Sequence, residues 1–224
     1  MGIAYNTKTV TDGLVLALDA ANPKSYPGSG TTWFDLSGNG YTATLNGPTY
    51  SSANNGSIVF DGIDDFVSFN NPLNQSNLTQ VWTVMAWINI TDKVSQTLIG
   101  GLNAGCMVCY SQGNNSLLYL NGGANDYYMY GGDLGNLGWV LATFRFSNGT
   151  GTRTIYRNTT DISTGGPNLT STPSGQSATF TLGSGGSGGG FLQGNISQLM
   201  IYNRYITDSE IQQNFNALRG RYSL

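Results

Sequence analysis

Ser57-Ile58-Val59-Phe60-Asp61-Gly62-Ile63-Asp64-Asp65-Phe66-Val67-Ser68-Phe69 is the stretch whose reading decides the fold. Two runs rich in β-branched and aromatic residues flank a short acidic turn, and Gly62 offers the positive φ that tight turns need. The pattern predicts a hairpin in which Ile58 and Phe60 share one face of the first run, and Phe66 and Ser68 one face of the second. An apolar hairpin is not stable alone in water, so more sheet must pack on it. The turn also carries Asp61, Asp64 and Asp65, the densest negative charge in the chain.

Outward from this stretch the strand pattern continues in both directions. Residues 10–20 read as a first strand, with Leu14, Leu16 and Leu18 on one face. Residues 1–9 have no period and read as a frayed end or an arm reaching a neighbour. A turn-rich segment with Pro23, Pro27, Gly28 and Gly30 delivers Trp33, expected to plug one end of the fold. Ser37-Gly38-Asn39-Gly40 reads as a turn and residues 41–45 as a short strand. Residues 82–90 alternate Trp82, Val84, Ala86, Ile88 and Ile90 against Thr83, Met85, Trp87 and Asn89, the pattern of a central strand covered on both faces. Residues 98–102, 106–110 and 117–120 follow as short strands, and residues 139–146 and 152–157 as a second hairpin. Residues 178–183 and 195–202 are the last strands, and such regular spacing is that of an antiparallel sandwich. The chain closes on a helix over 207–219. Thr207 and Glu210 form a capping box, Ile206 and Ile211 a hydrophobic staple, and Ile211, Phe215 and Leu218 an apolar stripe that should dock on the sandwich.

Composition narrows the chemistry. A chain of 224 residues without a Pro-rich or charged linker suits one domain spanning 1–224. At this length roughly 70–75% of the unfolded surface is buried, so neither a disulfide nor a metal is needed for stability. Charged residues make up 9%, against about 25% in an ordinary domain. With a net charge of −3 and no cluster of Lys and Arg, nucleic acid and anionic lipid are poor partners. No apolar stretch has the length of a membrane span, and no signal-peptide pattern opens the sequence, so neither membrane insertion nor secretion by the usual route is expected. The absence of histidine removes Ser-His-Asp and Cys-His catalysis and the usual zinc sites. Glu210 is the sole glutamate, so a glycosidase would need aspartates for both carboxylates. Cys106 and Cys109 are spaced as a C-x-x-C but sit in a strand pattern, which points them to opposite faces and argues for unpaired thiols. The glycine-rich run 183–190 lacks the Lys and following helix of a phosphate-binding loop and reads as a surface loop.

Several segments together resemble the concanavalin A-like lectin and laminin-G-like jelly-roll superfamily. They are residues 13–20, Trp33-Phe34-Asp35-Leu36-Ser37-Gly38-Asn39-Gly40, residues 58–67, residues 82–88, and residues 194–204 leading into the helix. The resemblance implies an all-β, two-sheet antiparallel jelly-roll sandwich with one short C-terminal helix. Residues 26–67 are especially similar to stand-alone domains in structural proteins of tailed bacteriophages. That likeness implies a non-catalytic virion protein, decorating the capsid or associated with the tail, assembled in the host cytoplasm, contacting other virion proteins and copies of itself. The alternative is a carbohydrate-binding lectin or adhesin without a virion role; a glycoside hydrolase ranks third, since the Glu-x-Asp-x-Glu motif of the related β-glucanases has no counterpart here.

Two candidate sites accompany the resemblance. No cofactor is required, but some superfamily members hold a structural calcium, for which Asp61, Asp64 and Asp65 would supply oxygens. Ser197 and Gln198 stand where calcium-binding members often carry an acid, so plain turn-forming aspartates are the alternative and are weighed slightly ahead. Glycan recognition needs aromatic faces flanked by amides and carboxylates, a composition met by Asn125, Asp126, Tyr128, Tyr130 and Asp133. Alternation puts Tyr128 and Tyr130 on one face; ordinary strand packing or a subunit contact is the competing and favoured account of them.

Overall fold

The computed structural model describes residues 7–73, 81–91, 96–102, 105–111, 115–120, 127–147, 152–165, 176–185 and 190–224, with backbone alone for the strand residues from 102 to 130 and for 176–177. In chain order the strands are β1 Leu14–Asp19, β2 Thr32–Trp33, β3 Ala43–Asn46, β4 Thr49–Ser51, β5 Ser57–Asp61, β6 Phe66–Asn70, β7 Val81–Ile90, β8 Gln96–Leu102, β9 Gly105–Ser111, β10 Asn115–Leu120, β11 Tyr127–Gly131, β12 Val140–Ser147, β13 Thr152–Arg157, β14 Thr160–Asp161, β15 Ser163–Gly165, β16 Gln176–Leu182 and β17 Gln193–Tyr202. The helix α1 spans Asp208–Leu218. Among the described residues, eight strands form one sheet in the order β14-β13-β12-β7-β17-β5-β4 with β1 also on β17, and nine form a second in the order β15-β11-β10-β9-β8-β16-β6-β3-β2. Paired strands run antiparallel, the jelly-roll sandwich that the sequence implies.

The core lies between the two sheets. It takes Leu16, Phe60, Trp82 and Phe144 from the eight-stranded sheet and Trp33, Phe69 and Phe180 from the other, all buried. Trp33 is fully enclosed, as its position after a turn-rich segment suggests. The strand β7 pairs with β12 on one side and β17 on the other, which makes it central, and it is apolar on both faces.

The opening stretch is not a hairpin. The strand β5 pairs with β4 and β17, whereas β6 pairs with β3 and β16, so residues 62–65 arch from one sheet to the other. Ile58 and Phe60 then meet Val67 and Phe69 across the core, while Phe66 and Ser68 fall on the outer face. An Asp-Gly turn serves an arch as well as a hairpin, and alternation within each run does not reveal which ladder each run joins.

The first strand is shorter than expected and irregular. A register shift between Leu14 and Leu16 sends Leu14 to the outer face, away from Leu16 and Leu18. The free edge of β1 is covered by residues 25–39. Asp35 accepts hydrogen bonds from the backbone N–H of Ala17 (2.9 Å) and Ser37 (2.8 Å), from the Ser37 hydroxyl (2.7 Å), and from the N–H of Gly40 (3.1 Å) and Tyr41 (3.4 Å). Asn39 Nδ2 donates to Val15 O at the irregularity (3.1 Å), and the Ser37 hydroxyl shares its hydrogen between that carbonyl (3.0 Å) and Asp35. The motif Asp35-Leu36-Ser37-Gly38-Asn39-Gly40 therefore seals an edge that would otherwise expose unpaired backbone groups.

The outer face of the eight-stranded sheet is covered too. The helix has its capping box, with Thr207 Oγ1 accepting from Glu210 N–H, and it ends in a 3-10 turn over Arg219–Tyr222 that carries the chain through Gly220. Ile206, Ile211 and Leu218 are buried there with Met85, Leu141 and Met200, and the Trp87 ring stacks on Tyr222 (4.2 Å between centroids) and on Phe215 (5.7 Å). Asn214, buried in that layer, accepts from Val10 N–H (2.7 Å) and donates to Tyr202 Oη (3.1 Å), which itself donates to Val10 O (3.0 Å). That closed ring holds the entering chain at Val10 against its own helix; residues 1–6 of the expected arm lie outside the described residues.

Gly56 precedes β5 with φ +135°, and a Cβ there would lie 2.5 Å from Ala20 O. Gly56→Ala is expected to cost about 3 kcal/mol, combining backbone strain with overlap in a packed junction. A fall in Tm of about 2–4 °C for each kcal/mol lost, read by calorimetry, checks it.

Candidate functional site

The arch after β5 builds the first site. Gly62 takes φ +82°, turning the chain so that Asp61 Oδ1 accepts from Ile63 N–H (2.8 Å) and Asp65 Oδ2 accepts from Asp61 N–H (2.9 Å). Carboxylate oxygens of Asp61, Asp64 and Asp65 lie within 4.8 Å of one another; Asp61 and Asp64 are exposed and Asp65 is buried. Gly47 lies against Asp65 Oδ1, where a Cβ would overlap it. Burial raises the Asp65 carboxyl above its ordinary value; the Asp61 N–H opposes this, and the charges of Asp61 and Asp64 add to it. The set consists of hard oxygens and fits calcium better than zinc, although three carboxylates are only part of the six to eight oxygens that calcium takes.

The last-strand positions expected to complete such a site lie elsewhere. Asp61 is paired in register with Gln193, four residues before Ser197, which at about 3.3 Å per residue puts Ser197 about 13 Å along the strand. Ser197 Oγ instead donates to Gly56 O (2.7 Å), and Gln198 pairs with Trp87 and Asp19.

The tyrosine-rich segment forms β11, paired with β10 on one side and the short β15 on the other. Tyr128 stands in register with Tyr119, and Tyr130 with Leu117 and Gly165. Asn125 and Asp126 lie outside the described residues, as do the side chains of Tyr128 and Tyr130. Asp133 follows the strand, half-buried, in a turn where its Oδ1 accepts from Gly135 N–H (2.8 Å) and its carbonyl accepts from Arg157 Nη1 (3.1 Å). Gly135 bridges Ile90, Ile90 pairs with Gly194, and Gly194 with Phe60. Three strand spacings of about 4.8 Å thus separate the Asp133 turn from the acidic arch, and both sit at the same end of the sandwich.

A third surface is absent from the sequence reading. On β6, Phe66, Ser68 and Asn70 face outward, because Val67 and Phe69 face the core. Thr44 of β3 and Thr181 of β16 flank Ser68 in register, Asn46 stands beside Phe66, and Thr179 beside Asn70. Thr44, Asn70 and Thr179 are exposed. Among the described residues no Asp, Glu, Lys or Arg occurs in any of the nine strands of this sheet, whereas the other sheet carries Asp19, Asp61, Arg145, Arg153, Arg157 and Asp161 in its strands. The pairing of Phe66 with Ser68 on one face was visible in the sequence. What was missing was the partner strands.

A laminin-G-type family model described as the concanavalin A-like lectin/glucanases superfamily matches residues 60–212. The chain belongs to that superfamily. No curated protein sequence matches it. Among solved structures, the binding domain of botulinum neurotoxin serotype D/C VPI 5993 is similar with a TM-score of 0.71 at 17% identity, over 93% of this chain and 53% of that one. The receptor binding domain of botulinum neurotoxin D is similar with a TM-score of 0.68 at 13% identity, over 92% and 52%. A Trypanosoma rangeli sialidase in complex with 2,3-difluorosialic acid is similar with a TM-score of 0.66 at 16% identity, over 92% of this chain and 33% of that one. At such identities the likeness is one of fold, and this chain spans between a third and about half of the length of those structures.

The raised Asp65 carboxyl has a consequence for pH. Its folded form favours the proton, so ionisation costs stability as pH rises above the ordinary value of 3.8. Asp65→Asn keeps an acceptor for Asp61 N–H and cannot ionise. In chelator the variant is expected to match the wild type in strong acid and to melt higher, by about 2–4 °C per kcal/mol relieved, at neutral pH. A thermal-melt series against pH checks the sign.

Proposed function

We propose that this chain is a non-catalytic, lectin-like module that binds carbohydrate and is carried on a bacteriophage particle, as capsid decoration or as part of the tail. The observation that carries the carbohydrate reading is the outer face of the nine-stranded sheet, whose strands, among the described residues, carry no charge and where Thr44, Asn70 and Thr179 are exposed, in a chain whose superfamily includes lectins. On the opposite sheet, α1 and the terminal segments cover the outer face of β1, β7, β12 and β17. Support for the virion setting is the resemblance of residues 26–67 to tailed-phage structural domains. The same reading makes other virion proteins and further copies of the chain its neighbours, and assembly in the host cytoplasm its origin.

The non-catalytic part rests on the carboxylates. Glu210 is bound by Arg204 through both oxygens (2.6 and 3.0 Å) and accepts from Thr207 N–H (2.7 Å). The Arg204 hydrogen bonds pull Glu210 down to about 2, the opposite of what a general acid requires. Asp208 is likewise lowered by its hydrogen bond to Arg145, and Asp19 is held by Arg221 (2.9 Å). Glucan hydrolysis that disappeared in Asp126→Asn or Asp133→Asn would overturn this part. A free adhesin with a protein partner is the second reading, favoured by one fact of the fold: a botulinum neurotoxin DC binding domain with this architecture is in complex with rat synaptotagmin II.

A mass-spectrometric inventory of purified particles from the source tests the virion setting. The chain is expected at a fixed copy number relative to the major capsid protein: high if it decorates the shell, low if it belongs to the tail. Its absence from particles leaves only the free lectin. A structural calcium held by Asp61, Asp64 and Asp65 is part of the proposal. Calcium at about a hundredfold over its Kd is then expected to stabilise the wild type by about 2.7 kcal/mol and to leave Asp64→Asn much less affected, as read by thermal melts with and without chelator.

A further inference from the structure

We infer that the outer face formed by β3, β6 and β16 is the carbohydrate surface, and that its ligand is an uncharged polysaccharide, with sugars bearing a carboxylate excluded. The inference rests on the lectin-like reading above and names the ligand class of that face.

The chemistry of the patch is specific. Asn46 Nδ2 donates to Thr44 O (3.0 Å) and to Ser68 Oγ (3.2 Å), which uses both amide hydrogens and leaves Asn46 Oδ1 as an acceptor. Ser68 Oγ, having accepted, keeps its hydrogen to donate. Asn46 and Ser68 together therefore present one acceptor and one donor, fixed relative to each other, which is the complement of a sugar hydroxyl that both donates and accepts. Beside them Phe66, partly exposed and outside the core cluster, offers an aromatic face to the apolar side of a pyranose. The hydroxyl row Thr44, Ser68 and Thr181 crosses three strands at a spacing of about 4.8 Å, so the patch is extended rather than a closed pocket and suits a chain of sugars.

Exclusion of anionic sugars follows from what the sheet lacks. A carboxylate on a sugar has to be met by Arg, Lys or a cluster of N–H donors, with Arg preferred for its paired geometry. Among the described residues the nine strands hold no Arg or Lys, and the N–H groups of β6, paired with β16 on one side and β3 on the other, are committed to the ladder. Seating a carboxylate there would desolvate it without a partner. Recognition by neutral hydrogen bonds and an aromatic face is also insensitive to salt, because no ion pair is screened.

The experiment compares binding of the whole chain to a panel of neutral polysaccharides (dextran, β-glucan, mannan, chitin oligomers) and carboxylated ones (polysialic acid, hyaluronan, alginate). Each is measured from about 0.05 M to about 0.5 M salt. At least one neutral polymer is expected to bind with little change across that range, and the carboxylated ones not to bind. Ser68→Lys and, independently, the exposed Thr179→Arg are expected to weaken binding about tenfold or more, with thermal melts reporting that each variant is folded. Neutral binding that survives both variants overturns the placement on this face and leaves the lectin reading intact. Preference for the carboxylated polymers overturns the ligand class. Failure of every polymer overturns the lectin reading together with this one. A concentration-dependent dimer of the wild type that Ser68→Lys abolishes makes the face a contact between copies, and the inference is then wrong.

Discussion

The structure depends on a change of partner along β17. From Gln193 to Ile196 one edge of this strand pairs with β5, and from Gln198 to Tyr202 the same edge pairs with β1, while its other edge pairs with β7 throughout. Ser197 lies at the change, in a register shift against β7. Its carbonyl accepts from Ala20 N–H (2.8 Å) and its hydroxyl donates to Gly56 O (2.7 Å), so one residue ties together the ends of the two strands that meet there. Bulges increase local twist and re-aim a strand, and this one permits β1 and β5 to share an edge end to end. The close approach of Gly56 to Ala20 is the steric side of the same junction.

From that junction the two sheets acquire different tasks. The strands β1, β7, β12 and β17 leave an apolar outer face, and α1 covers it. Polar fasteners surround that apolar layer. Arg145, buried between the rings of Tyr156 (4.5 Å) and Tyr205 (4.3 Å), donates to Ile206 O and to Asp208 at the start of the helix. Arg221 holds Asp19 at the other end, and Arg204 ties Glu210 to Asp12 beside β1. Burial of the Arg145 cation costs desolvation, which the two aromatic faces and its hydrogen bonds to Thr154, Ile206 and Asp208 offset. The eight-stranded sheet is thus committed to holding the fold, while Thr44, Asn70 and Thr179 are exposed on the other.

Much of this was legible in the sequence, and the limits have physical causes. The double-sided alternation of residues 82–90 identified a central strand because only a strand covered on both faces carries Trp82 and Trp87 on opposite sides. Thr207 and Glu210 located the helix start because the capping box is local chemistry. The arch at residues 62–65 was not legible, since the choice between hairpin and arch is made by β3, β4, β16 and β17, the last two more than a hundred residues away in sequence. Asn214, which the apolar stripe of the helix does not include, is buried and bonded to Val10 and Tyr202. Ser37-Gly38-Asn39-Gly40 read as a turn, whereas the edge that it seals together with Asp35 becomes apparent only with β1 beside it. The acidic arch was found as a cluster, but its neighbour on the last strand was placed four residues too far along, because the register of β17 against β5 is set across the sheet.

The scarcity of charge, 9% of residues, has a structural logic that links the two faces. A charged side chain on a strand is useful where a partner is fixed nearby, and the eight-stranded sheet supplies such partners at Arg145 and Asp19. On the opposite sheet, hydroxyls and amides satisfy solvent without the long-range field that a charge would create. A surface of that kind attracts neither polyanions nor polycations from a distance, so any selectivity it has must come from contact geometry. Contact geometry needs rigidity, and the rigidity of this face derives from the core beneath it, where Val67, Phe69 and Phe180 are buried directly under Phe66, Ser68 and Thr181. The same alternation that packs the core therefore fixes the spacing of the outward groups, and the fold's stability and the definition of its open face share one cause.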